Sequence, residues 1–394
     1  MTTPNLTEQS LLEHLFVRPG CTVAYLAQRL AVSTSTIISA IGRLQDKGLV
    51  AAGQSLATGR GRPSLAYSPR FEGPVGVCFI DGSQLAAAVF DSEGQLLAES
   101  RMEYVTIENR DHATRLACEA MSDVTTQAEI RIADLSFVAL TFNALRTPEG
   151  VLSSSVLPWA TTELGDQVAS RLGSPVCVVV TSSMLLAEYQ HMPDLLPDCL
   201  LSFSVGDGVS AHAVLMGKIG RGHNGLSGEI GHVTIEPDGA MCGCGRRGCV
   251  ETVCSGPAIR RRLLSALSQG ARSSLDAKAI ELASAPSAIE QLWQAQQAGD
   301  AFACEFIDDV IDRIAWVLSM AIALHDPQLI RVRGYVLHHR QPWIDSVRQR
   351  VLEKYAMRGS QRDLNIEPGK ADVQDVLRVT AYAALKQQQL AEAG

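Results

Sequence analysis

The sequence predicts an α/β protein in which a small winged helix-turn-helix precedes two larger α/β lobes. Two short amphipathic helices and a turn-rich hairpin near the N-terminus carry the first part of that expectation. Alternating strands and helices from Gly73 onward carry the second, and a length of 394 residues, too great for one hydrophobic core, carries the third. The expected units are residues 1–72, 73–180 and 181–394. With 46% hydrophobic and 19% charged residues, the chain has the balance of a packed globular protein, which excludes a disordered one.

The first of the two helices is expected over 22–30, TVAYLAQRL, where Val23, Leu26, Ala27 and Leu30 recur at helical spacing. Ser33 caps a second amphipathic run, STSTIISAIGRLQDKGLV. Ile37, Ile41 and Leu44 form its inward stripe, which leaves Thr34, Ser35, Thr36, Ser39, Ala40 and Arg43 facing outward. Small polar side chains on an exposed helix face suit a major groove, so Ser33, Thr34, Ser35, Thr36, Ser39 and Arg43 are candidate DNA contacts. Gly48 ends this helix, and the strand LVAA, the turn QSLATGRGRPS and the strand LAYSP read as a wing. Its tip, Gly59-Arg60-Gly61-Arg62-Pro63, carries two guanidinium groups on a pliant backbone. Arg60 and Arg62 suit a narrow, electronegative minor groove.

Read globally, the net charge of -8 argues against nucleic acid, but the charge is uneven. Residues 1–75 hold seven basic against four acidic side chains, leaving 27 basic against 38 acidic for the remainder. A basic head on an acidic body is expected to bind double-stranded DNA through the head alone. One helix-turn-helix buries little surface, so a homodimer or higher homo-oligomer on a palindromic operator is expected.

Beyond the head, strands are expected at VGVCFI (75–80), LAAAVF (85–90) and QLLAES (95–100), then a helix over about 110–127. Further strands are expected at LSFVAL (135–140), PVCVVV (175–180), CLLSFSV (199–205) and VSAHAVLM (209–216). Helices at 300–325 and 372–391 complete the second lobe. The sequence shows no internal repeat. It also shows no secretory leader and no apolar stretch near the roughly 20 residues of a membrane span, so a cytoplasmic location without membrane insertion is expected. Cys21, Cys78, Cys118, Cys177, Cys199 and Cys304 stand singly, mostly in apolar runs, and read as buried thiols of a reducing compartment.

The remaining cysteines cluster in GEIGHVTIEPDGAMCGCGRRGCVE, residues 228–251. His232 stands ten residues before Cys242, and Cys244 and Cys249 follow in a glycine-rich loop able to fold tightly around an ion. Three thiolates and one imidazole make a closed tetrahedral shell, so His232, Cys242, Cys244 and Cys249 are expected to hold one structural Zn2+ per chain. Cys254 lies beyond the loop as a spare buried thiol.

That zinc segment, with MGKIGRGHNGLSGEIGH leading into it, resembles the signature of the ROK family of repressors, open reading frames and sugar kinases. The resemblance extends over the strands from Gly76, the stretch VLPWATTELGDQVASRLGSPV, the DPQLI strand and the C-terminal helix. With a winged helix in front, the chain is similar to the repressor branch of that family. The resemblance implies an actin-like, ribonuclease-H-like ATPase fold for the two lobes.

Position by position, the resemblance also implies lost chemistry. The phosphate loop Asp-x-Gly-Gly-Thr of the family's kinases is Asp81-Gly82-Ser83-Gln84 here, one glycine short. Their catalytic Asp falls on Val180, counted back from Glu188, and an isopropyl group accepts no proton. Their Gly-Thr-Gly-x-Gly-Gly becomes Gly206-Asp207-Gly208-Val209-Ser210-Ala211, and their late Gly-Gly-Gly becomes Arg333-Gly334-Tyr335. No enzyme activity is therefore expected. The sugar-binding residues are half kept: Glu229, His232 and Glu251 match, whereas Val156 and Val180 replace polar contacts. Glu229 and Glu251 then either bind a sugar or serve only to support the zinc loop. The expected function is a transcriptional repressor of carbohydrate metabolism or transport. Its effector is a sugar, a sugar phosphate or a phosphotransferase-system protein; a sugar kinase with a fused DNA-binding head is the alternative.

Overall fold

The structure is a computed structural model. It describes residues 6–56, 64–104, 106–142, 144–146, 152–154, 156–157, 162–179, 199–215, 218–220, 222–223, 225–355 and 364–392. The head opens with a helix absent from the sequence reading, α1 (Leu6–Val17), followed by β1 (Cys21–Thr22), α2 (Val23–Leu30) and α3 (Thr34–Asp46). Thr22 caps α2 by accepting from the Tyr25 amide at 3.3 Å, and Ser33 caps α3 by accepting from the Thr36 amide at 3.1 Å. The wing strands β2 (Val50–Leu56) and β3 (Ser64–Pro69) join β1 in the order β1-β3-β2. Its tip, with Arg60 and Arg62, lies outside the described residues.

The first lobe carries β4 (Val75–Ile80), β5 (Gln84–Phe90) and β6 (Leu96–Glu103), then α4 (Arg110–Gln127) and β7 (Phe137–Phe142). A small hairpin, β8 (Leu145–Arg146) and β9 (Leu152–Ser153), precedes α5 (Thr162–Leu172) and β10 (Val176–Val179). The main sheet runs β10-β7-β4-β5-β6, with β4, β5 and β6 antiparallel in turn and β7 and β10 parallel to β4. Cys78, Ile80, Ala87, Val89 and Leu140 face α4 and α5; Val77, Phe79, Ala88 and Phe90 face the other way into a second buried layer. Both faces are covered, which is why these strands read as unbroken apolar runs rather than alternating ones.

The second lobe repeats this plan. Strands β11 (Cys199–Val205), β12 (Val209–Leu215) and β13 (Lys218–Ile219) form the antiparallel part, and β14 (Leu329–Arg333) and β15 (Ile366–Pro368) extend it in parallel. The order β13-β12-β11-β14-β15 matches that of the first sheet, an internal duplication of topology that left no repeat in the sequence. Between β13 and β14 lie α6 (Glu251–Cys254), α7 (Gly256–Ser268), α8 (Ala277–Leu282), α9 (Ala285–Gln297) and α10 (Ala301–His325). Helix α11 (Gln341–Arg350) follows β14, and α12 (Val373–Glu392) ends the described chain.

Helix α12 corrects the expected division of the chain. It belongs by packing to the first lobe, where Val376, Leu377, Val379 and Tyr382 share one core with Val75, Val77 and Phe90, and with Leu11 and Leu15 of α1. Tyr382 stacks on Phe71 at 5.0 Å between ring centroids, and its hydroxyl meets Ser68 of β3, whose Oγ also accepts from the Gly20 amide at 2.9 Å. Gly94, at φ +78°, is required beside them: a Cβ there would lie 2.2 Å from the Tyr382 hydroxyl oxygen. Head and first lobe are thus joined by a hydrophobic core that a sequence boundary at residue 72 would cut.

Candidate metal centre and nucleic-acid interface

The loop that carries the clustered cysteines runs from a short helical turn at Ile230–His232 to α6. Bridges between Thr234 and Cys249 and between Met241 and Arg247 fold it into a narrow ribbon, and the Cys242 amide donates to Arg246 O at 2.7 Å across its tip. At Gly248, φ +63°, a Cβ would fall 1.4 Å from Glu236 O, so only glycine lets the backbone return this closely. The result brings the ligand atoms of His232, Cys242, Cys244 and Cys249 within 4.8 Å of one another.

Cys244 Sγ lies 3.7 Å from Cys249 Sγ, and Cys242 Sγ lies 3.6 Å from His232 Nδ1. A tetrahedral zinc with Zn–S bonds of about 2.3 Å and Zn–N of about 2.0 Å has edges of about 3.8 Å between sulfurs and about 3.5 Å from sulfur to nitrogen. The donor set therefore fits a metal of zinc's size and softness. Cys254 stays outside it, and burial pushes its thiol up to about 12. Of the six scattered cysteines, Cys21, Cys78 and Cys199 are buried as expected. Cys118 and Cys177 are half-buried and Cys304 is exposed, because the last sits on the solvent side of α10.

The loop also positions the candidate effector residues. With Nδ1 turned to Cys242, His232 leaves Nε2 3.7 Å from Glu229 Oε2. Burial pushes the Glu229 carboxyl up to about 6. Glu251 lies 3.7 Å from Cys242 Sγ through Oε1. Its Oε2 would be 3.0 Å from a Cβ on Gly208, which would also stand 3.5 Å from Val156 Cγ2. Glu251 and Val156 thus face one another across the Gly206–Gly208 turn. Val180 and Glu188 lie outside the described residues.

Three segments singled out separately in the sequence meet at the Gly206–Gly208 turn. The Asp81–Ser83 turn between β4 and β5 carries Ser83, whose amide donates to Asp207 Oδ2 at 2.8 Å and whose hydroxyl donates to the same oxygen at 2.8 Å and to Oδ1 at 3.0 Å. The Tyr335 hydroxyl also donates to Asp207 Oδ1. Asp207 is only 4% exposed. Burial raises its carboxyl, while the hydrogen bonds from Tyr335 and Ser83 work against the rise. Sequence reasoning missed this contact because its partners stand 124 and 128 residues from Asp207.

On the head, α3 presents Ser33, Thr34, Ser35, Thr36 and Ser39 to solvent and buries Ile37, Ile41 and Leu44, as expected. Two assignments change. Ala40 is fully buried, because it sits between Ile37 and Leu44 at helical spacing and widens the apolar face. Arg43 is exposed but donates through Nε to Glu8 Oε1 at 2.5 Å, while Lys47 holds Glu8 Oε2 at 2.8 Å. The Ser33 hydroxyl is engaged in capping, and lies 2.7 Å from Ser35 Oγ and 2.8 Å from Thr36 Oγ1. Ile38, not expected at this face, stands on it 59% exposed. Among the described residues no helix is long and apolar enough to cross a membrane.

Comparison with known proteins adds lineage to this geometry. The ROK family model matches residues 79–388, and a MarR family model matches residues 5–61. A glucokinase of Thermotoga maritima is 24% identical over 279 residues, 70% of this chain and 86% of that protein. The DNA-binding transcriptional dual regulator NagC of Escherichia coli K12 is 33% identical over 162 residues, 41% of this chain but only 38% of that protein. Among solved structures, a ROK family transcriptional regulator described as a homolog of the Escherichia coli MLC protein aligns over 98% of this chain and 99% of its own, with a TM-score of 0.66 at 21% identity. A ROK family glucokinase from Streptomyces griseus, solved with glucose and AMPPNP, aligns over 80% of this chain and all of its own at a TM-score of 0.63 and 20% identity. These likenesses establish the fold: a MarR-like winged helix-turn-helix joined to an actin-like ATPase body.

Proposed function

The chain belongs to the ROK family, and on that premise we propose that it is a DNA-binding transcription regulator, acting as a repressor of carbohydrate metabolism or transport. The observation that carries this reading is α3, a capped helix with Thr34, Ser35, Thr36 and Ser39 exposed on one face, set in a MarR-type head. Hydroxyl side chains on an N-terminal helix face reach base edges and phosphates alike. In this reading Arg60 and Arg62 at the wing tip enter the minor groove, and two copies of the chain match a two-fold operator.

The body then serves as the sensor. Zn2+ held by His232, Cys242, Cys244 and Cys249 fixes the loop that carries Glu229, His232 and Glu251, and these three face a sugar, a phosphosugar or a transport-system protein. Val156 beside Glu251 removes a polar partner from a plain hexose, and a buried hydroxyl left unpaired costs about 1–3 kcal/mol. A body without catalysis fits the Asp207 carboxylate standing in the turn where nucleotide phosphates would be cradled.

Capture of genomic fragments by the full-length, zinc-loaded protein tests the proposal. Enrichment of intergenic fragments with inverted repeats beside carbohydrate genes is expected; no enrichment over bulk DNA would overturn it. A kinase reading draws on the 86% of the Thermotoga glucokinase that the chain matches. Hexose-dependent ATP turnover that persisted through repurification, and vanished in Asp81→Ala, would favour that reading instead.

A further inference from the structure

The Asp207 carboxylate is held as bound oxyanions are held. It sits almost wholly buried between the lobes and takes a backbone amide and a hydroxyl from Ser83 on one lobe and a phenol from Tyr335 on the other. Converging amide and hydroxyl donors at a tight turn beside a glycine form an anion cradle. Gly82 completes the fit, since a Cβ there would lie 3.0 Å from Asp207 Oδ2. The two turns involved are topological equivalents: Asp81–Ser83 joins the first two strands of one sheet, and Gly206–Gly208 joins the first two strands of the other.

We propose that this cradle is an oxyanion site whose resident ligand is the chain's own Asp207, so that the lobes are clasped together and phosphate-bearing ligands are refused without any bound nucleotide. A free phosphate or carboxylate would need the same amide, the same two hydroxyls and the same space. Asp207 already holds those donors and fills that space. Removing the side chain leaves the donors behind and opens a cavity of the right chemistry for a small oxyanion. The clasp also accounts for Tyr335, whose buried phenol has Asp207 as its acceptor and spans from the end of β14 to the turn of β11 and β12. The inference concerns the body alone and stands or falls independently of DNA binding.

The experiment is hydrogen exchange resolved at the Ser83 amide of the full chain, with acetate and inorganic phosphate as probes. In the wild type the amide is expected to exchange slowly, with no change on adding either anion. In Asp207→Ala exchange should quicken by about tenfold or more, and acetate or phosphate should restore the protection. Tyr335→Phe, which removes one hydroxyl and keeps the ring, carries the same test should Asp207→Ala fail to fold; it too should quicken exchange at Ser83. Unchanged exchange in Asp207→Ala, or in Tyr335→Phe should Asp207→Ala fail to fold, would overturn the clasp, and loss of protection in Asp207→Ala that neither anion restores would overturn the oxyanion site.

Discussion

The Nε of Arg43 donates to Glu8 Oε1 at 2.5 Å, tying α3 of the head to α1. Lys47 takes the other oxygen at 2.8 Å, so a carboxylate whose side chain is 3% exposed is matched on both sides. Arg43 is therefore a brace between α3 and α1 before it is a candidate DNA contact.

Glu8→Gln should lower the stability of the head by about 1–3 kcal/mol, the usual range for losing hydrogen bonds between charged partners. The Arg43 and Lys47 hydrogen bonds hold the Glu8 carboxyl below its ordinary 4.5. A depressed folded value means the stabilisation is complete above 4.5 and is lost as pH falls from there through the folded value. Denaturant melts of the two proteins should accordingly differ most at neutral pH and converge in acid. A gap that stayed constant with pH would contradict the brace.

Elemental analysis of chelator-free protein should find about one zinc per chain, because four ligand atoms within 4.8 Å close a tetrahedral shell. Cys244→Ser should lose that metal on dialysis and show a lower melting temperature, since metal affinity here is folding energy for the loop. Protein free of zinc, with an unchanged melt, would remove the metal from the account.

Tyr382→Ala should cost about 3–5 kcal/mol, the usual penalty for emptying a large aromatic site in a core. Tyr382→Phe keeps the stack on Phe71 and gives up only the bond to Ser68, so about 1 kcal/mol is expected. Because this core joins head and first lobe, both variants should unfold in one transition. A separate, early melt of the head in either variant would show that the shared core does not couple them.

The locally encoded parts of this fold were legible. The capped helix after Ser33, the strands from Val75 to Phe90 and the helix over Arg110–Gln127 are each written in a run of neighbouring residues. The candidate metal group was legible for the same reason: three of its four residues lie within one loop. Helix α1 was missed because its buried apolar residues, Leu11, Leu12, Leu15 and Phe16 among those described, crowd into its second half and make too short a period to stand out. What depends on distant partners was not legible. Nothing near Val373 marks α12 for the first sheet, and nothing near Asp207 announces Ser83 or Tyr335. The ion pair of Arg43 with Glu8 spans 35 residues, so an outward-facing arginine read from helical spacing alone looked available to DNA.

In the proposed function, α3 reads a specific duplex. Its most direct test is fluorescence anisotropy of the full chain on a duplex selected by the wild type from a random library, beside a scrambled duplex of equal length, over a salt series. Wild type should prefer the selected duplex by about a thousandfold or more, and Thr34→Ala with Ser35→Ala should reduce that preference by at least about tenfold. Affinity for the scrambled duplex, set by phosphate contacts, should hold nearly constant between the two proteins and fall steeply with salt. If the double variant discriminated the selected duplex as well as the wild type does, α3 would not be the reading helix.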